Sequence, residues 1–335
     1  MNTSDILVTG IGTALPGVAG PDGLLPSAGS AGTGVAAPPV DPGALIGRRG
    51  LRYKDRASQL ALCAAQDGLR AAGLLSGTAL SVPAGSTGVV VSSNLGNLDT
   101  VCEVVDGIRE HGVAGISPMG LPNASSNVVA SSIAIRFGLR GPNLMVCNGA
   151  TSGLDAVHWA AVMIRAGRAE RVLVIGVETH NRYVEGLLGR PAGELLDGAV
   201  ALVVESAAAA AGRGAQGLAV LGGYAREAGV DACLDRILAA PGAAEPGLWF
   251  VPEGHRGEGR LPEGEVPRHD LTRTFGSASG ALGVLQCAAA AGWLSGTAGE
   301  GPGPGTVRSP VLVTSGTDQD DASAGLLLSA VAATP

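Results

Sequence analysis

Leu144-Met145-Val146-Cys147-Asn148-Gly149-Ala150-Thr151-Ser152-Gly153-Leu154-Asp155-Ala156 opens the stretch that decides the fold, which continues to Gly176. The short apolar run Leu144 to Cys147 ends at turn-forming residues and predicts a buried strand. From Ser152 to Ala166 small and apolar residues recur at helical spacing, and Val172 to Gly176 is a second apolar run of strand length. Asp197-Gly198 then turns into a strand from Ala199 to Val204. Strand, helix and strand joined by short links predict α/β layering.

Working outward, Ile6 to Gly10 predicts a buried strand, and the segment from Gly17 to Gly43, rich in Gly, Pro, Ala and Ser, predicts a flexible loop. Asp55 to Gly73 predicts a helix, with Leu60, Cys63, Ala64 and Leu69 on one face and Gly73 as its stop. A strand at Gly88 to Ser92 and helices near Thr100 to His111 and Ala124 to Phe137 complete the first half. After an alanine-rich linker at Ala207 to Gly214 the order restarts. Strand Leu218 to Gly222, helix Asp231 to Ala240, strand Leu248 to Val251, a small-residue helix from Gly276 to Gly292, and strands Val311 to Thr314 and Leu326 to Leu328 follow. Two halves, 1–205 and a shortened 206–335, each with a Gly/Ala/Ser-rich central helix, predict a duplicated unit around a buried helical layer.

The 335 residues suit two domains or one duplicated unit. With 46% hydrophobic and 15% charged residues, the chain is no charge-rich disordered polymer. The formal charge of −7, one lysine (Lys54) and the absence of a basic run exclude nucleic acid as a partner. Five cysteines, odd in number and without a CxxC pair, argue against a disulfide framework and a metal site. No window approaches the ~18 uninterrupted apolar residues of a membrane span, and the opening MNTSDILVTG lacks a basic leader. A cytoplasmic protein with no membrane association and no cofactor is expected.

Ile133-Ala134-Ile135-Arg136-Phe137-Gly138-Leu139-Arg140-Gly141-Pro142-Asn143, Gly153-Leu154-Asp155-Ala156 and Ile164-Arg165-Ala166-Gly167-Arg168-Ala169 resemble the core of the β-ketoacyl synthases. Val8-Thr9-Gly10-Ile11-Gly12, Asp55-Arg56-Ala57-Ser58-Gln59-Leu60-Ala61-Leu62 and Asp197-Gly198-Ala199 add to the resemblance, which is good over 51–205 and fragmentary beyond. It implies the thiolase fold: α/β, a duplicated five-layer αβαβα arrangement with two mixed five-stranded sheets.

An active member needs a nucleophilic cysteine at the start of the buried central helix, where the helix dipole and nearby imidazoles favour thiolate. Aligned on Gly153-Leu154-Asp155-Ala156, that position is Ala150, whose methyl group cannot attack a thioester. Cys147, three residues earlier, reads as a buried apolar cysteine rather than a displaced nucleophile, and Thr151 and Ser152 read as helix caps. The first histidine motif should follow the strand Leu248 to Val251, where the chain has Pro252-Glu253-Gly254-His255-Arg256-Gly257. There His255 reads as a surface-loop histidine. In the second motif Thr272 stands at the lysine position and Ser277 at the histidine position, ahead of Gly280-Ala281-Leu282-Gly283. The closing glycine turn is replaced by Ser315-Gly316-Thr317-Asp318-Gln319-Asp320.

A scaffold kept without its chemistry points to an interaction, and the chain resembles the chain length factors (ketosynthase β subunits) of type II polyketide synthases. Ala150 departs from the glutamine of the aromatic members, and the shorter second half leans towards polyene or highly reducing systems. The resemblance implies a heterodimer with an active ketosynthase, contact with acyl carrier protein through that partner, and a tunnel holding the polyketide acyl chain. Met119, Gly120, Leu121, Ala124, Ser125 and Val128 would line the tunnel's far end. Leu144, Met145, Val146 and Cys147 would pair antiparallel with the partner. Two blander readings stay open: that these tunnel residues pack the chain's own core, and that this strand is central in its own sheet. Two other functions also stay open. One is a divergent thiolase-fold acyltransferase or hydrolase using Cys147 or Ser152. The other is a stand-alone acyl or carrier-protein binding module, against which the net acidity counts.

Overall fold

The computed structural model of the chain describes residues 5–25, 37–240, 244–255, 261, 266–296 and 308–332. Its first half runs β1 (Ile6–Ala14), α1 (Pro42–Ile46), α2 (Arg56–Ala71), the small hairpin β2 (Leu75–Ser76) and β3 (Ala79–Leu80), β4 (Thr87–Ser92), α3 (Leu98–His111), α4 (Val128–Phe137), β5 (Asn143–Val146), α5 (Ser152–Arg165), β6 (Arg171–Glu178), α6 (Arg182–Leu188) and β7 (Gly198–Ser206). The second half runs α7 (Ala207–Gly212), β8 (Ala219–Glu227), α8 (Val230–Leu238), β9 (Leu248–Phe250), β10 (Arg268–His269), α9 (Thr272–Phe275), α10 (Leu282–Ser295), β11 (Val311–Ser315) and β12 (Ser323–Ser329).

The duplication is written in the strand order, β5-β4-β6-β7-β1 in one half and β10-β9-β11-β12-β8 in the other. In each half three strands are parallel and two antiparallel, and the long helix between the third and fourth strands in chain order, α5 or α10, enters the interior. The two five-stranded units are joined at one edge, where Leu7 and Val8 of β1 meet Val220 and Ala219 of β8, so the expected pair of sheets is hydrogen-bonded into one mixed ten-stranded sheet. α5 and α10 touch strands of both halves and form the middle layer; α2 and α4 cover one outer face and α8 the other.

Local chemistry explains the elements. α2 starts where the Asp55 carboxylate accepts from the Ser58 amide at 2.6 Å. It stops at Gly73, whose φ of 69° suits a residue without Cβ. α10 is buried on nearly all sides because Ala, Gly, Leu and Val surround its axis. Gly153 of α5 faces Gly283 of α10, and a Cβ on Gly283 would stand 2.4 Å from the Leu154 backbone nitrogen. The central layer therefore closes only because both positions are glycine.

Several expectations change. α10 begins at Leu282 rather than Gly276, because Gly276 (φ 81°) and Ser279 (φ 39°) turn the backbone away from helical geometry. α4 begins at Val128, with Leu121–Ala124 forming a separate 3-10 turn at Pro122. The alanine run after β7 is a short helix capped by the Ser206 hydroxyl rather than a linker. The segment 17–43 is not loop throughout: Pro21–Leu24 is a 3-10 turn that packs Leu24 and Leu25 into the central core, and α1 lies at its end. The rest of that expectation, 26–36, lies outside the described residues. Among the described residues no helix is long and apolar enough to cross a membrane.

Candidate functional site

The heads of α5 and α10 meet at Gly153 and Gly283, so two helix N-termini converge on one place. A cavity of about 430 Å³ opens there, lined among others by Ala150, Asn94, Arg190, Glu253, Ser277 and Ser279. Ala150 sits in the 3-10 turn Gly149–Thr151 that leads into α5, and presents a methyl group to the cavity. Ser277 faces it, and its hydroxyl donates to Glu253 Oε2 at 2.9 Å. Glu253 Oε1 in turn lies 2.5 Å from Arg190 Nη1, so the three polar side chains satisfy one another. Backbone bonds from Ser277 to Glu194 and Leu196 fix this cluster to the segment after α6.

Thr272 lines a second cavity of about 610 Å³, which shares Arg190, Glu253 and Ser277 with the first. Its hydroxyl donates to Asp270 at 2.6 Å, which makes it a local turn residue at the head of α9. The structure thus brings Ala150 and Ser277 together and leaves Thr272 on the far side of the ion pair.

His255 is not a surface-loop histidine. It is half-buried, with its ring 4.9 Å from that of Trp249 and its Nε2 buried without a hydrogen-bond partner. Burial, and then the Arg268 charge, hold its imidazole below the usual range and hence neutral. The reason is strand alternation: Trp249 faces the α8 side while Phe250 faces the central layer, and the turn after β9 returns His255 to Trp249. Glu253 is left facing the cavity. Sequence reasoning passed over Glu253 and Arg190; the distance of Glu253 from the end of its strand was the available signal for the first, while nothing local announces the second.

Cys147 is exposed, contrary to expectation, because β5 ends at Val146 and lies at the rim of the sheet. Its thiol is pushed up by burial and by the Glu178 carboxyl, which lowers the thiolate fraction. Ser152 is fully buried and its hydroxyl is engaged with Asn94 Oδ1, the Gly149 carbonyl and the Asn148 amide, none of which is a base. Among the described residues no cluster of His, Cys, Asp and Glu is arranged to hold a metal ion.

The segment expected to line a tunnel lies largely outside this chain's core. Met119 is 63% and Leu121 46% exposed, Ser125 is exposed, and Gly120 and Ala124 are half-buried; Val128 alone packs partly against the outer core. β5 is the terminal strand of the sheet rather than a central one, paired with β4 on one side. Leu144 and Met145 are half-buried there and Val146 is buried.

Comparison with solved structures places this architecture among ketosynthases. The AntDE:AntF complex, a type II PKS acyl-carrier protein with its ketosynthase bound to the hexaketide, superposes with a TM-score of 0.75 at 17% identity, over 98% of this chain and 99% of that one. The ishigamide ketosynthase/chain length factor gives 0.73 at 21% identity, over 98% and 100%. A β-ketoacyl synthase from Burkholderia phymatum gives 0.66 at 16%, over 98% and 100%. At these identities the likeness establishes the fold, the thiolase fold of the ketosynthases. No curated protein sequence matches the chain. The family model of the β-ketoacyl synthase N-terminal domain matches residues 40–210, a span of just over half the chain and the one that carries the Ala150 turn, and the chain belongs to the β-ketoacyl synthase family.

Proposed function

We propose that this chain is a noncatalytic chain length factor that pairs with an active ketosynthase and shapes the tunnel in which the partner's polyketide chain grows, in a polyene or highly reducing type II system. The observation that carries this reading is the cavity at the head of α5. Its nucleophile position is the methyl of Ala150, and its polar groups Arg190, Glu253 and Ser277 are bonded to one another. Thioester condensation needs a thiolate and a proton-transfer group within hydrogen-bond reach of the reacting atoms. A hydrolase or acyltransferase built on Ser152 or Cys147 lacks support, since Ser152 has no base and Cys147 is held towards the thiol form.

The face around β5 supports a protein partner. Ile135 (83% exposed) and Trp159 (48%) stand uncovered on α4 and α5, both of which pack against the edge strand β5. α3 buries none of its residues and displays Val101, Val105 and Ile108. Obligate pairings commonly bury roughly 2,000 Å² or more, which a face of this kind can supply. Arg48, Arg49 and Arg52 are exposed and form no ion pair among the described residues, giving the complex a positive surface for an acidic carrier protein.

The test is co-expression with candidate ketosynthases, followed by sizing and product analysis. The single chain is expected to be silent, and Ala150→Cys is expected to gain no condensation activity because no base accompanies the thiol. Decarboxylation of malonyl thioester by the wild-type chain alone, lost in Cys147→Ala, overturns the noncatalytic reading.

Tunnel lining gives a separate expectation. Ala124 and Ser125 are small, and Met119 and Leu121 already project from the chain. Ala124→Phe or Ser125→Trp should shorten the polyketide in an intact heterodimer, since a filled cavity penalises only chains long enough to reach it. Product length unchanged in such a complex places the stop elsewhere.

A further inference from the structure

Glu178, the last residue of β6, is a fully buried carboxyl that the function above does not use. Its two oxygens fasten segments from both halves of the chain. Oε1 accepts from the Asn94 amide at 2.6 Å and the Gly280 amide at 3.1 Å. Oε2 accepts from the Leu95 amide and the Ser93 hydroxyl, each at 3.1 Å. Beside Gly280 stands Ser279, the one residue other than glycine with positive φ among those described, and Asn94 Nδ2 donates to its hydroxyl at 2.9 Å. The same loop reaches the edge strand: the Ser93 amide donates to the Val146 carbonyl at 3.2 Å, and the Cys147 thiol to the Asn94 carbonyl at 3.9 Å.

We propose that Glu178 is a proton-controlled staple, whose ionisation loosens residues 93–96 and 279–281 and with them the end of edge strand β5. The consequence for partner docking rests on the proposed function; the staple itself does not. Burial opposes the anion, the four donors favour it, and burial prevails, lifting the carboxyl from the ordinary 4.5 to about 7. Titratable neighbours are few. The loop 93–96 and the turn 279–281 carry none. Cys147 at the end of β5 feels the Glu178 charge, Asp197 just before β7 is paired with Arg56, and His180, two residues on, faces Glu185. The sign follows from linkage. The closed arrangement holds the proton more tightly than a solvated one, so the closed state is favoured below about pH 4.5 and its advantage is lost as pH rises towards 7.

Hydrogen exchange of the full chain, corrected for the intrinsic effect of pH, reads this directly in peptides covering 91–97, 277–283 and 143–148. Exchange in all three is expected to accelerate by roughly tenfold or more between pH 5.5 and 8 and to be flat in Glu178→Gln. Corrected rates in the wild type that do not change with pH overturn the proposal, whether or not the variant folds. Acceleration in the two loops without the edge peptide overturns the link to β5. Because exchange is read on this chain alone, failure to find a ketosynthase partner bears on the proposed function and leaves the staple to its own test.

Discussion

Gly283→Ala should remove about 3 kcal/mol or more of stability, a large share of what a domain of this kind possesses. The added methyl would stand 2.4 Å from the Leu154 nitrogen and 2.8 Å from the Gly153 carbonyl carbon, both backbone atoms of a helix that is itself sandwiched between two sheets. No flexible side-chain end is available to give way, so α5 and α10 must separate and the cavities opened between them cost further burial. Gly212→Ala is the control. That position, at the end of α7, has nothing within 4 Å of its Cβ, and alanine there should leave stability unchanged or raise it slightly. Denaturant unfolding of the two variants beside the wild type measures both. Equal midpoints for Gly283→Ala and wild type contradict the close helix crossing on which the five-layer arrangement depends.

Ile135→Asp should reduce pairing with a ketosynthase by about 100-fold or more, which corresponds to about 2.7 kcal/mol. In the free chain residue 135 is 83% exposed, so the substitution should leave the melting temperature within a degree or two of the wild type. In a complex built on β5 the same carboxylate would be taken out of water beside an apolar surface, where no partner charge awaits it. Leu45→Asp, on α1, changes an exposed leucine in the same way and should leave pairing intact. Titration of the purified ketosynthase by calorimetry, with both variants, decides the matter. Undiminished affinity of Ile135→Asp removes the β5 face from the interface.

The sequence was read correctly where short-range chemistry is decisive. The apolar runs that became β1, β4, β6 and β7 needed no tertiary information, since both faces of each are covered and the runs are nearly continuous. α2 declared its stop through Gly73, and the repeated order of elements announced the duplication. Ala150 was legible as a lost nucleophile because its neighbours Gly153 to Ala156 fix its place at the head of α5. The misreadings share a cause. Cys147 was taken for a buried residue and His255 for an exposed one because apolar context and residue type do not say which side of a strand end the chain leaves from. Glu253 reaches the cavity, and His255 does not, through the turn that follows two alternating side chains of β9.

By itself the sequence determined the α/β class, the duplicated order, the buried helical layer and the absence of a nucleophile at residue 150, because each rests on residue type and on contacts close along the chain. Only the tertiary structure decided that β5 is an edge, that Arg190, Glu253 and Ser277 close on one another, and that Glu178 fastens the two halves. Those facts depend on which of ten strands lies last in the sheet and on groups 63 and 102 residues apart in the chain, namely Arg190 with Glu253 and Glu178 with Gly280. Local propensity carries no record of such distances; they are set when the central helices pack and the strand order closes around them.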